Sequence, residues 1–356
     1  MIDEISSIDG WSAELKATRD WSDFGDDTVV ATGSRWMSDE DIQGNLIAGR
    51  AGSAPGHRIR QLLPMTFRDY LIATHVEFGG LLVAHPADLQ SEAVRSALDS
   101  ILYVIDDLDL AWQAFLTSGG FPRAVFEHFK HGAVSEAYAR DLAAWLRADV
   151  DPDADTESVP VLLEELSSRM TSPLNAMTAA RDMDYNRNVF ELRIRRLLNA
   201  HAAIECRQVN DKGRARAGTQ SKLYLTDPLL SWIPSIVSPG LKGPDMTQLN
   251  EAAIGIALAR AIDGLDESRW VSGDTIGYAR TKSGNEVDLA PVRIPTASGP
   301  AMTTPIEGKW VDSGWKGETH TIRNKFGHGI IATKSILDLE GDIWAVPAPV
   351  VALLLA

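Results

Sequence analysis

The chain has 356 residues, enough for two or three domains each with a core of its own. Its 44% hydrophobic and 23% charged residues are those of an ordinary globular sequence, and a net charge of −15 argues against nucleic-acid binding by the surface as a whole. The single cysteine, Cys206, excludes an internal disulfide and a multi-cysteine zinc site, and suits a reducing cytoplasm. No basic-then-apolar stretch opens the sequence, and the closing APVVALLLA is far too short to span a bilayer. No membrane association is expected, and the last segment reads as a buried closing element.

Up to about residue 75 helix and strand alternate. GWSAELKATRDW has helical spacing, DDTVVATGSR is a short β-branched run of the buried-strand kind, and a Gly/Pro loop leads to a helix opened by Pro64-Met65-Thr66. From about 85 to 148 the chain reads as helices interrupted by GGFPRAV, whose glycines and proline mark a structural turn. The acidic DVDPDADTESVP is the best linker candidate. Beyond it come three helical patterns and then AAIECRQVN, DKGRARAGTQ and KLYLTD, which read as a β-hairpin. Three helices followed by a hairpin is the winged-helix order. NEAAIGIALARAI resumes a helix. The remainder alternates strands (WVSGDTIGYAR, EVDLAPVRI, TPIEGKWV, HGIIATKS, DIWAVPA) with one helix near KGETHTIRNKF.

The opening MIDEI has the form of a strand that ends in a carboxylate able to hold Mg²⁺, followed by a Glu able to polarise water. Taken alone, such a tetrapeptide is more often a solvated turn. Its neighbours add weight: IDEI is followed in order by VVATGSR, AGR, LLPMTFRDYL and GGFP. This set resembles a prokaryotic family of AAA-type ATPases whose C-terminal region has a nuclease-like fold, and the resemblance spans nearly the whole chain. It implies that Asp3 and Glu4 match the Walker B acidic pair, that Ser34 matches the residue sensing the γ-phosphate, and that Arg50 is a charge-neutralising arginine. No G-x-x-x-x-G-K-[ST] occurs, however, so the backbone cradle and lysine for the β- and γ-phosphates are missing. The chain is expected to be a family member without its first third, through a shifted start, a split gene or a degenerate paralogue. ATP is then the family's cofactor rather than this chain's.

Between Tyr185 and Lys222 nine Lys/Arg face only Glu191, Glu205 and Asp211. Arg187, Arg193, Arg195 and Arg196 fall on or near one helix, and Arg214 and Arg216 on the hairpin tip. A basic helix with a basic wing suits duplex phosphates. Such a helix also pairs with an acidic remainder, and winged helices serve as protein-binding modules as well. Duplex DNA, a protein partner and a second copy of the chain all stay open.

GNEVDLAPVRI and TPIEGKWV have the form of a PD-(D/E)xK nuclease site. Strand alternation puts Glu307 and Lys309 on one face against Ile306, Gly308 and Trp310, and pairs Glu286 with Asp288 against Val287 and Leu289. Asp288 and Glu307, with the Gly308 carbonyl, could hold Mg²⁺ while Lys309 activates water or steadies charge. Glu251, on the preceding helix, is where this fold often adds another acid. A cross-strand salt bridge on a wet face is the plainer alternative.

The expected architecture is α/β and multi-domain: a partial AAA-type P-loop core (1–75), a helical lid (76–150), a winged helix (160–240) and a PD-(D/E)xK-like α/β domain (241–356). Two functions follow. One is the back half of an ATP-driven, DNA-associated machine whose last domain cuts nucleic acid. The other is a non-enzymatic DNA- or protein-binding regulatory remnant.

Overall fold

The computed structural model describes residues 1–5, 8, 10–21, 29–33, 62–78, 80–152, 154–238, 240–265 and 275–356. The chain is mixed α/β with several sheets. Near its start, Ile2 and Ala31 form a parallel bridge, α1 is Trp11–Trp21, and the Thr32 hydroxyl donates to the Asp3 carboxylate. Glu4 adopts a left-handed backbone, with φ of 50°. Ser34 and Arg50 lie outside the described residues.

Helices α2 (Phe67–Thr74), α3 (Glu92–Asp99), α4 (Ile105–Ser118), α5 (Pro122–His131) and α6 (Glu136–Val150) form the first helical body. Thr66 and Asp69 make a reciprocal capping box at the start of α2, satisfying two amide donors that helical geometry leaves open. Phe67, Tyr70, Trp112 and Phe115 pack ring against ring, with Phe67 and Trp112 edge to face at 4.8 Å.

After the acidic linker come α7 (Ser158–Arg169), α8 (Ala176–Asp182) and α9 (Arg187–Asn199), then β1 (Ala203–Gln208) and β2 (Ser221–Leu225). The strands pair antiparallel as the expected hairpin, with Ala203 opposite Leu225. Helices α10 (Pro228–Val237) and α11 (Met246–Asp263) follow, then β3 (Ile276–Arg280), β4 (Glu286–Val287), β5 (Arg293–Ile294), β6 (Ala301–Met302), β7 (Ile306–Gly308), α12 (His320–Phe326), β8 (Gly329–Thr333), β9 (Ile343–Pro347) and α13 (Ala348–Leu355).

Strand β1 also pairs parallel with β3, so one sheet runs β2-β1-β3-β4. This sheet takes strands from both sides of residue 240. A second sheet, β7-β8-β9, is parallel throughout, and an antiparallel Leu289–Ile306 bridge links it to the end of β4. The strands of this second sheet are buried nearly throughout, as parallel strands covered on both faces require.

The closing APVVALLLA is α13, a helix buried along its whole length. It packs on α11, α2 and α4, so the first helical body is docked on the C-terminal sheet region. Arg68 caps its end, donating to the carbonyls of Leu353 (2.7 Å) and Ala356 (2.9 Å). Trp112 donates to Asn250 on α11 at 2.9 Å, a second tie between the same bodies.

A third tie is made by GGFP. Asp227 is 1% exposed and accepts from the amides of Gly120 (2.7 Å) and Leu229 (2.9 Å), capping α10 while clamping the turn. Burial pushes its carboxyl up to about 6, against the pull of those two amides. Gly119 has a φ of +68°, and a Cβ there would lie 1.9 Å from the Asp227 carboxylate; one on Gly120 would lie 2.3 Å from the Met65 carbonyl oxygen. Gly119→Ala and Gly120→Ala should therefore each destabilise by roughly 2 kcal/mol or more through forced separation. Asp227→Ala should lose about 1–3 kcal/mol through the two orphaned amides. Denaturant unfolding of the three variants measures both.

Candidate functional site

Four elements converge on one buried spot. Strand β2 alternates, so Lys222 and Tyr224 share a face; α11 brings Glu251, the β4 end brings Glu286 and Asp288, and β7 brings Glu307, Gly308 and Lys309. Each is placed by its apolar partners: Val287, Leu289 and Ile306 are at most 2% exposed and fill the opposite side of their strands. Gly255, one turn after Glu251, leaves room for the Tyr224 ring, since a Cβ there would lie 2.7 Å from it.

The contacts are short. Lys222 Nζ lies 2.9 Å from Glu251 Oε1, 3.0 Å from Asp288 Oδ1 and 3.7 Å from Glu286 Oε2. Tyr224 donates to the same Glu251 oxygen at 2.8 Å. Asp288 Oδ2 accepts from the Gly308 amide at 3.1 Å, and the Asp288 amide donates to Glu307 Oε2 at 3.2 Å. Lys309 Nζ is 3.1 Å from Glu307 Oε1 and 4.0 Å from Glu318. Glu251, Asp288, Glu307 and Lys309 are thus brought together. Lys222, Tyr224 and Glu286 join them, although the sequence reading assigned them no role.

Charge in this space is confined. Glu307 is 5% exposed, and burial followed by the neighbouring Asp288 raises its carboxyl to about 8 in spite of Lys309. Burial and Asp288 also raise Glu251, to about 7, against Lys222 and Tyr224. Burial opposes the charge on Lys222, but Asp288 and Glu251 outweigh it and hold the ammonium above its ordinary value. The shifts of Glu251 and Lys222 pull their shared bond in opposite directions. An ammonium bonded to two carboxylates favours the charged pair, which leaves Glu307, with only half-buried Lys309 beside it, as the carboxyl that keeps a proton. Tyr224 is raised well above its ordinary value by burial and then Glu251, so it remains a neutral donor. Burial pushes the Cys206 thiol up to about 12, which makes it inert.

Three carboxylates and a main-chain carbonyl are the hard oxygen donors that Mg²⁺ prefers, so the donor chemistry fits. The arrangement is not a finished cage: among the described residues no three His, Cys, Asp or Glu side chains are placed to hold a metal, and Lys222 stands between Glu251 and Asp288.

The arginines divide. Arg193 is 9% exposed, ion-paired with Asp151 and set over the Tyr185 ring at 4.0 Å. Arg196 donates to the Val150 carbonyl at 3.0 Å, at the C-terminus of α6 where a cation is favoured. Both help to hold α9 against α6. Arg187 pairs with Glu191 at 2.8 Å, and Arg195 is exposed. Arg214 and Arg216 are exposed at the hairpin tip. That tip leans on the C-terminal sheet region, because Gly213 sits against Arg293 and Met302 and Asp211 pairs with Lys325 at 3.2 Å.

A largely apolar pocket lies on the other face of α11, with Ala253, Ala257 and Arg260 toward it and Glu251 turned away. No helix among the described residues is long and apolar enough to cross a membrane. No protein-family model matches the chain, and no curated protein or solved structure is significantly similar to it.

A carboxyl whose value is raised on folding adds stability below its unfolded value, and that stability is lost as pH rises through the folded value. Relative to Glu307→Gln, the wild-type chain should therefore lose stability from about pH 4.5 to about pH 8 and level off above. The slope should be at most about 1.4 kcal/mol per pH unit. Parallel denaturant titrations of the two chains in metal-free buffer check this.

Proposed function

We propose that the chain is a nucleic-acid-associated member of the AAA-type ATPase family it resembles, and that the buried cluster is a divalent-cation-dependent phosphodiester-cleaving site. The observation that carries this is the meeting of Glu251, Asp288, Glu307 and Lys309, from three separate elements, around one charged space. Asp288, Glu307 and the Gly308 carbonyl, with Glu251, would hold Mg²⁺, which when bound supplies polarisation of the scissile phosphate and its attacking water.

The remaining tasks belong to the chain's own groups. Lys309, about a third exposed at the mouth, is the donor that a substrate oxygen or water meets first, and Glu307 orients it. Tyr224 and the Gly308 amide hold Glu251 and Asp288 in fixed rotamers. The low dielectric of the site strengthens each of these interactions. Arg214 and Arg216 are the phosphate contacts this reading favours, since Arg193 and Arg196 are engaged internally. For the N-terminal segment, the parallel bridge beside Asp3 agrees with a Walker B strand next to its neighbour.

A second reading has its own observation. A lysine ammonium at the centre of the carboxylates makes a charge-compensated core cluster, which suits a non-enzymatic DNA- or protein-binding module.

Two measurements separate these. With Mg²⁺ or Mn²⁺, the purified chain should nick DNA slowly, and Asp288→Asn and Glu307→Gln should each reduce the rate at least a hundredfold. Cleavage that persists in both variants, or never occurs on any nucleic acid, removes the enzymatic reading. Arg214→Ala/Arg216→Ala should weaken duplex binding and flatten its salt dependence by about one counterion per contact. Arg193→Ala should instead lower stability with an unchanged salt slope.

A further inference from the structure

Lys222 is a charged member of the cluster that the proposed chemistry leaves without a task. It is 1% exposed on β2, and lysine is almost never buried so completely unless it is paired. Its ammonium faces three carboxylates from two other elements: Glu251 at 2.9 Å, Asp288 at 3.0 Å and Glu286 at 3.7 Å. An ammonium is a compact point charge with three donors, the closest that a side chain comes to a bound cation.

Two of these partners, Glu251 and Asp288, are also residues that would hold the divalent cation. A divalent cation held by these carboxylates would sit within a few ångströms of the ammonium, so the two positive charges repel each other and compete for the same oxygens. Glu286 is about a fifth exposed, and the Tyr278 ring stands 5.5 Å from Nζ. Together they give the ammonium a second resting place that is still inside the protein and still paired.

We propose that Lys222 is the site's built-in counter-cation: it holds Glu251 and Asp288 together when no metal is bound, and a divalent cation binds by displacing it toward Glu286. The inference rests on the metal-site reading above and adds to it a competitor carried by the chain itself. It accounts for how Glu251, Asp288 and Glu286 share one space, where their repulsion would otherwise force them apart. Divalent-cation affinity is then set by the cost of moving one lysine as well as by the ligands.

The test is calorimetric titration of the full chain with MnCl₂ and MgCl₂, comparing wild type, Lys222→Met, Glu286→Gln and Asp288→Asn. Lys222→Met should bind Mn²⁺ at least tenfold more tightly than wild type, and Glu286→Gln, which removes the second resting place, several-fold more weakly. Loss of binding in Asp288→Asn locates the ion at this cluster. If Lys222→Met is unfolded without metal, millimolar Mn²⁺ should restore its circular dichroism and thermal transition, and failure to do so overturns the proposal. Equal or weaker binding by Lys222→Met overturns the counter-cation role and leaves the metal reading standing. Binding by neither wild type nor Lys222→Met overturns both.

Discussion

Parallel pairing of β1 with β3 ties the hairpin after α9 into the C-terminal sheet. Because of that one ladder, β2 becomes a strand of the same layer as β4, and a lysine from residue 222 reaches carboxylates at 251, 286 and 288. Gly277 stands at this seam. A Cβ there would lie 2.3 Å from Val209, so the two strands approach as closely as they do only because the position carries no side chain. The Leu289–Ile306 bridge then carries the layer on to β7 and the Glu307–Lys309 pair.

Once the strands are joined, charge balance governs the interior. Glu251, Glu286, Asp288 and Glu307 meet Lys222 and Lys309 in a space where at least three of the four carboxylates are nearly buried. Separating any of these charges from its partner costs more than an exposed ion pair is worth, which keeps the side chains in single rotamers. The excess of negative charge is relieved by a proton on Glu307 or by an external cation. The same physics makes the cluster both a source of rigidity and a place where a cation can act.

The helical region is held to this sheet by polar ties seated in apolar contact. Arg68 on the end of α13, Trp112 on Asn250, and Asp227 on the GGFP turn each satisfy a buried donor or acceptor that would otherwise be orphaned. The arginines of α9 serve the same end. Arg193 and Arg196 meet Asp151 and the C-terminus of α6, so a basic run that looks like a nucleic-acid face in the sequence is partly turned inward. Exposure shifts the available cations to the hairpin tip, which leans toward the C-terminal sheet region.

Local patterns made much of this legible. Period-two alternation in EVDL and IEGK put Asp288 and Glu307 opposite apolar neighbours, and burying those neighbours forced the carboxylates to one side. The hairpin of residues 203–225, the helices on either side of the acidic linker, the structural role of GGFP and the burial of the closing segment were likewise written in spacing, turn residues and hydropathy. Lys222 was not, although a lysine and a tyrosine alternating with the leucines of KLYL were a signal. Whether Arg193 points to solvent or to Asp151, and whether Lys222 joins a basic surface or a buried acidic pocket, depends on residues dozens of positions away. Short-range sequence decides which face of an element is apolar. Only long-range strand pairing and helix docking decide what each polar face meets, because a charge is stabilised by partners in space and not by its neighbours along the chain.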